Sequence, residues 1–118
     1  MHRTMFCAAA LALSGLGLSV ATAQRAALSP AAARGRQVFI ADGCPQCHGV
    51  SGQGSVGPRL APDPLPLEFL TRQLRNPMGV MPVYTAAMMS EAQIADIYAY
   101  LSSVPKAKSV AEIPLLNQ

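Results

Sequence analysis

Tryptophan is absent from the 118 residues, phenylalanine and tyrosine number three each, and only 13% of positions carry a charge. So few large side chains leave the middle of a small domain underfilled, and something other than side chains is expected there. Alternating strand patterns and internal repeats are also missing, while ten prolines and nine glycines interrupt long regular elements. A hydrophobic share of 51%, held largely in alanine and in the first two dozen positions, excludes intrinsic disorder. The net charge is only +3, with no block of five or six like charges, which excludes the basic footprint of a nucleic-acid binder.

The amino terminus has the three-part order of a secretory signal. Met1-His2-Arg3-Thr4 is a short positive start, Met5 to Val20 is apolar and free of acids, and Ala21-Thr22-Ala23 supplies the small residues for cleavage after Ala23. The apolar run is too short, and too broken by Gly15 and Gly17, for a retained membrane anchor. Cys7 lies early in that run, away from the cleavage point where a lipid-modified cysteine would stand. Residues 1–23 are thus expected to be cleaved, leaving 24–118 as one domain with a core over about 29–104 and a tail over 105–118. In that mature chain Cys44, Cys47 and His48 are the remaining cysteines and histidine, and the three fall within five consecutive residues.

Capping and period place three helices. Ser29-Pro30 is an N-cap followed by proline at the first helical position, which predicts a helix over about 29–41. Leu67, Leu70 and Leu74 form an apolar stripe, which Asn76-Pro77 ends. Ser90-Glu91-Ala92-Gln93 has capping-box form, and Ile94, Ile97 and Leu101 carry the stripe of a last helix stopped by Pro105. Gly49 to Pro66 is a loop long enough to wrap something, Met78 to Ala87 is a second irregular stretch, and the tail Lys106–Gln118 has no clear period.

The chemistry sits at Cys44-Pro45-Gln46-Cys47-His48. This C-x-x-C-H is the attachment pattern of a c-type haem. Residues three apart in a helical turn share a face, so both sulfurs can meet the two vinyl groups of one porphyrin edge, while the adjacent histidine reaches iron. A thioredoxin-like pair would need surrounding strands, and a structural zinc site needs four ligands where three remain. A large planar apolar group also explains the scarcity of bulky side chains.

From about Arg34 to Val104 the chain resembles the class I monohaem cytochromes c. Gly35 and Phe39, then Cys44-Cys47-His48, Gly57-Pro58-Arg59-Leu60, Met81-Pro82, and finally Ile97 with Tyr100-Leu101 match that family's landmarks in order. The resemblance implies an all-α fold of three to five helices around one covalent haem c, with Gly35 and Phe39 packed against Ile97 and Tyr100. It also implies that the Pro58 carbonyl accepts a hydrogen bond from the His48 ring, so that Cys44, Cys47, His48 and Pro58 serve the cofactor.

With no second histidine remaining in the mature chain, the sixth position on iron is left to methionine, lysine, water or nothing. Met78, Met81, Met88 and Met89 are the candidates. Met88 and Met89 adjoin the last helix as core filler, and Met81 precedes Pro82 as in the family's ligand loop, so Met81 is the expected partner of His48 on iron. Relatives often place a tryptophan on a haem propionate; here Arg59, Arg75 and Tyr84 are the substitutes available.

The resemblance therefore implies a periplasmic one-electron carrier with no small-molecule substrate. Its partners would be redox proteins: a dehydrogenase, an oxidase or a membrane electron-transport complex. A dedicated electron-acceptor subunit of such a dehydrogenase or oxidase is the second reading, and an open-site haem enzyme or gas sensor, which requires Met81 off the iron, is the third.

Overall fold

The computed structural model describes residues 27–117. The expected signal segment 1–23 lies outside the described residues. Four α-helices follow in order: α1 (Pro30–Ala41), α2 (Pro45–His48), α3 (Leu67–Arg75) and α4 (Glu91–Ser103). Two short 3-10 turns, Val110–Glu112 and Pro114–Leu116, follow them, and no strand occurs among the described residues. The fold is all-α, as the class I resemblance implies.

Each long helix starts where its local chemistry says it should. The Ser29 hydroxyl accepts from the Ala32 amide at 3.2 Å and Pro30 takes the first helical position, so α1 begins with an otherwise orphaned donor satisfied. The Ser90 hydroxyl accepts from Gln93 N at 3.2 Å, and the Gln93 side chain accepts from Ser90 N at 2.8 Å, completing the capping box of α4. Met89 and Ile94 flank that cap on both sides and are both fully buried in the core, which fixes the angle at which the chain enters the helix.

α1 and α4 cross in close contact, and a glycine permits it. A Cβ built on Gly35 would lie 1.8 Å from the Asp96 carbonyl oxygen and 2.7 Å from the Ile97 nitrogen, so the two backbones touch where residue 35 has no side chain. One turn further along, the Phe39 and Tyr100 rings pack tilted at 58° with centroids 5.5 Å apart, a preferred edge-to-face arrangement. At the rim of the crossing, the Arg34 guanidinium donates from Nε and from an Nη to the two Asp96 carboxylate oxygens, each at 2.8 Å. Phe39, Ile94, Ile97 and Leu101 are buried between these helices, each contributing roughly 1.5–3 kcal/mol of hydrophobic stabilisation. α3 adds Leu74 to this core and packs Leu70 against it, while Leu67 at its first turn stays exposed.

The tail has more local order than its sequence suggested. Ser109 and Glu112 form a second capping box, and the Asn117 side-chain amide donates to the carbonyls of Val110, Ala111 and Ile113. Lys106 Nζ, paired with Asp63 at 2.9 Å, ties the start of the tail to the loop before α3. No helix among the described residues is long and apolar enough to cross a membrane.

Candidate functional site

The chain leaves α1 at Asp42 and turns at once into α2. Cys44 N donates to the Phe39 carbonyl at 3.2 Å, and His48 N donates to the Cys44 carbonyl at 2.9 Å. One helical turn therefore carries Cys44, Cys47 and His48, hung directly from the α1 residue that packs on Tyr100. The two thiols are free rather than joined to each other. Half-burial pushes the Cys44 thiol up to about 11, with the Asp42 carboxylate adding to the shift, so this sulfur keeps its proton at neutral pH.

His48 is 8% exposed. Its Nδ1 lies 2.7 Å from the Pro58 carbonyl oxygen. A carbonyl can only accept, so Nδ1 carries a proton, and Nε2 is the nitrogen left to bind a metal when the ring is neutral. Gly57 makes this approach possible: a Cβ there would sit 3.1 Å from the His48 ring carbon between the two nitrogens and 3.1 Å from the Cys47 carbonyl. Gly57 N donates to that same carbonyl at 2.8 Å and Gly54 N to the His48 carbonyl at 2.8 Å, so the loop is laced onto α2 and delivers Pro58 to the ring. Tyr100 closes the arrangement from α4, donating its hydroxyl to the Val50 carbonyl at 3.1 Å.

Met81 stands on the other irregular stretch, half-buried against the core, and its Sδ accepts from Gln73 Nε2 at 3.8 Å. Met78 differs sharply: it is 71% exposed, beside Gly79, around which a Cβ would find nothing within 4 Å. Met89 is buried as expected, but Met88 is 62% exposed and fills no core. The two adjacent residues point oppositely where the chain straightens into the N-cap of α4.

The loop carrying Met81 is tied by a residue to which the sequence suggested another role. Arg75, at the last turn of α3, donates to the carbonyls of Tyr84 at 2.8 Å and Met89 at 2.9 Å and pairs with Glu91. Its guanidinium is thus committed to holding the stretch between α3 and α4 closed, not left free for a propionate. Tyr84 is likewise engaged, its hydroxyl donating to the Asp42 carbonyl at 2.8 Å and its amide to the Leu74 carbonyl at 2.9 Å. Of the three substitutes Arg59 stays exposed. No local sequence signal could reveal the Arg75 clamp, because its targets are backbone carbonyls and carry no residue identity.

A cleft of about 300 Å³ opens beside these loops, lined by Leu60, Leu65, Phe69, Leu70, Gln73 and Leu101 among others, with Arg59 at its edge. The cleft does not include Cys44, Cys47, His48 or Met81 in its lining, and the fit to a covalently held haem rests on the two free thiols of one helical turn and the adjacent imidazole whose Nδ1 is held by Pro58. These groups do not fit a bare metal ion: among the described residues no group of three or more His, Cys, Asp and Glu side chains converges.

A family model described as cytochrome c oxidase, cbb3-type, subunit III matches residues 30–101. The match begins at the first residue of α1 and ends within α4, so it spans the C-x-x-C-H turn and both irregular stretches and leaves out the tail. No curated protein and no solved structure matches the chain.

Proposed function

The chain belongs to the family of cytochrome c oxidase, cbb3-type, subunit III, and is a c-type cytochrome with covalently bound haem c; from that premise we propose that it is an exported, periplasmic one-electron carrier whose iron is held between His48 and Met81. When bound, the haem supplies an iron that cycles between the ferrous and ferric states.

Everything else falls to the chain. Cys44 and Cys47, free thiols on one helical turn, would hold the haem through thioether bonds to its vinyl groups. Hydrogen bonding to Pro58 orients the His48 ring, so that Nε2 would be the nitrogen that holds iron, and the bond from Nδ1–H would strengthen it as a donor. The observation that carries the reading is this 2.7 Å contact together with the Arg75 clamp on the methionine loop: one ligand is pre-oriented and the other is held by a tethered segment. Met81 as a thioether ligand would favour ferrous iron and raise the potential, and with His48 and Met81 both bound the iron would have no place for a substrate.

Carbon monoxide binding decides between carrier and open-site enzyme or sensor. The reduced protein should bind the gas weakly and slowly, and rapid saturable binding would refute methionine ligation. A role as the haem subunit of a larger oxidase or dehydrogenase complex draws on a separate observation. The family takes its name from an oxidase subunit, and Val56, Val80 and Val83 stand exposed on the two cofactor loops. Gel filtration of a native periplasmic extract distinguishes the two, with a free carrier eluting near 12.3 kDa or below and a subunit co-eluting with its enzyme.

A further inference from the structure

A groove of about 750 Å³ runs between the start of α1, the end of α4 and the stretch after His48. Leu28, Val50, Tyr100, Val104 and Pro105 make its apolar lining, with Arg36 beside them, and it shares no residue with the cleft next to α3. Its hydroxyls are already engaged: Tyr100 donates to the Val50 carbonyl at 3.1 Å and Ser103 to the Tyr100 carbonyl at 2.6 Å. Arg36 enters none of the ion pairs among the described residues, so the groove presents an apolar wall and one uncommitted positive charge.

The tail has the complementary composition. Its capping box and the three bonds from the Asn117 amide order residues 109–117, yet that order turns Val110, Leu115 and Leu116 outward, each more than half exposed. Fixing a segment costs conformational entropy, and burial of these three side chains within the chain does not offset it. The Ser109 amide and hydroxyl hold the Glu112 carboxyl below its ordinary range, so a negative charge stands among the exposed apolar residues. Pro105 lines the groove, but the next residue, Lys106, is paired with Asp63 on the rim of the other cleft, which draws the tail away from its own groove.

We propose that two copies of this chain exchange tails, Val110, Leu115 and Leu116 of each entering the groove of the other and Glu112 pairing there with Arg36. The contact closes after two copies, because each gives one tail and receives one. Two short tails make an interface at the small end of specific contacts, so pairs form in concentrated solution and separate in a dilute extract. The pairing does not depend on which residue holds the sixth position on iron.

Sedimentation velocity of the haem-loaded protein over a concentration series tests it. The unmutated chain should pass from one copy to two as concentration rises. Leu115→Asp with Leu116→Asp alters the tail and Val50→Glu alters the groove, both at exposed positions, and each variant alone should stay single. Mixed, they should associate again at higher concentration, because a mixed pair keeps one intact tail and one intact groove. Glu112→Gln can still accept from Ser109 but lacks the charge, and it should weaken pairing by about two- to five-fold, as should Arg36→Gln, the range of an exposed ion pair. Combining the two should weaken pairing no further than either alone. A single copy at every concentration would overturn the exchange, as would a mixture that stays single or pairs that persist unchanged in both the tail and the groove variants.

Discussion

Replacing Gly35 with alanine sets a helix-propensity gain against a steric cost, and the structure decides the sign. Alanine is favoured over glycine in a helix interior by about 1 kcal/mol, so propensity alone predicts a more stable protein. The new methyl carbon, however, would fall 1.8 Å from the Asp96 oxygen, 2.2 Å from the Asp96 carbonyl carbon and 2.7 Å from the Ile97 nitrogen. All three are backbone atoms of α4, so no side chain can rotate away. Restoring an ordinary separation requires α1 and α4 to part by about 1.5 Å at the crossing, and a gap of about 0.5–1 Å already forfeits a quarter to a half of a dispersion contact. Phe39, Ile97, Tyr100 and Leu101 all sit across that gap. Overpacking that side chains can relieve costs about 1–3 kcal/mol, and a clash between two backbones belongs at the top of that range or above it. The net loss should be about 2–3 kcal/mol, which in a domain of this size lowers Tm by about 10–20 °C. Thermal unfolding of the haem-loaded protein followed at 222 nm measures it. A Tm equal to or above that of the unmutated protein would refute the helix contact as the reason for glycine at 35.

Four further outcomes follow from the site and its surroundings. Replacing both Cys44 and Cys47 with alanine should release the haem to acid–acetone extraction, since thioether bonds alone resist it; free extraction from the unmutated protein would end the covalent assignment. Met81→Ala should abolish the near-infrared band of the ferric protein, lower its potential and open the iron to carbon monoxide, whereas the exposed Met78 should be replaceable by alanine with none of these changes. The Arg34 guanidinium holds the Asp96 carboxyl below its ordinary value of 3.8, so its stabilisation is present above that pH and is lost as pH falls through the lowered folded value. Asp96→Asn should therefore flatten the acid limb of a plot of urea midpoint against pH, and parallel curves for the two proteins would contradict the pairing. Residues 43–58 and 76–90 contain no Asp, Glu, Lys or Arg, so electron exchange through this face should depend weakly on salt, and a steep fall in stopped-flow rate with ionic strength would point to a charged patch elsewhere.

What the sequence made legible is what short-range chemistry encodes. The starts of α1 and α4 were readable because an N-cap is a contract between residues three apart, and Ser29-Pro30 and Ser90 with Gln93 are complete within one turn. The end of α3 was readable at Asn76-Pro77 because proline removes a donor and clashes with the preceding turn. The same rule was available in the tail, where Ser109 and Glu112 stand at capping-box spacing, yet a pair without a following apolar stripe gave no helix to attach it to. Methionine shows the limit of local inference most sharply. Met88 and Met89 are neighbours of one type before one helix, and which of them enters the core depends on the angle of the chain at Ser90.

The two side chains that hold the Met81 loop mark where sequence inference stops, and the reason is physical. Arg75 reads as a surface cation or a propionate partner, because a guanidinium announces its charge and not its acceptors. Only the folded chain brings the Tyr84 and Met89 carbonyls within 2.9 Å of it. Gln73 reads as an ordinary polar position beside an apolar stripe, and its partner sulfur lies eight residues away across a helix end. Both sit on α3, and the loop they hold meets the other half of the site through Tyr84, whose hydroxyl donates to the Asp42 carbonyl two residues before Cys44. The C-x-x-C-H half is a sequence motif because one helical turn contains all of it. The methionine half is assembled from contacts made by a helix and a loop, so no run of neighbouring residues announces it. Tuning of the iron is therefore expected to reside in α3 and the loop it holds, and substitutions there should shift potential and ligand affinity before they loosen the covalent haem.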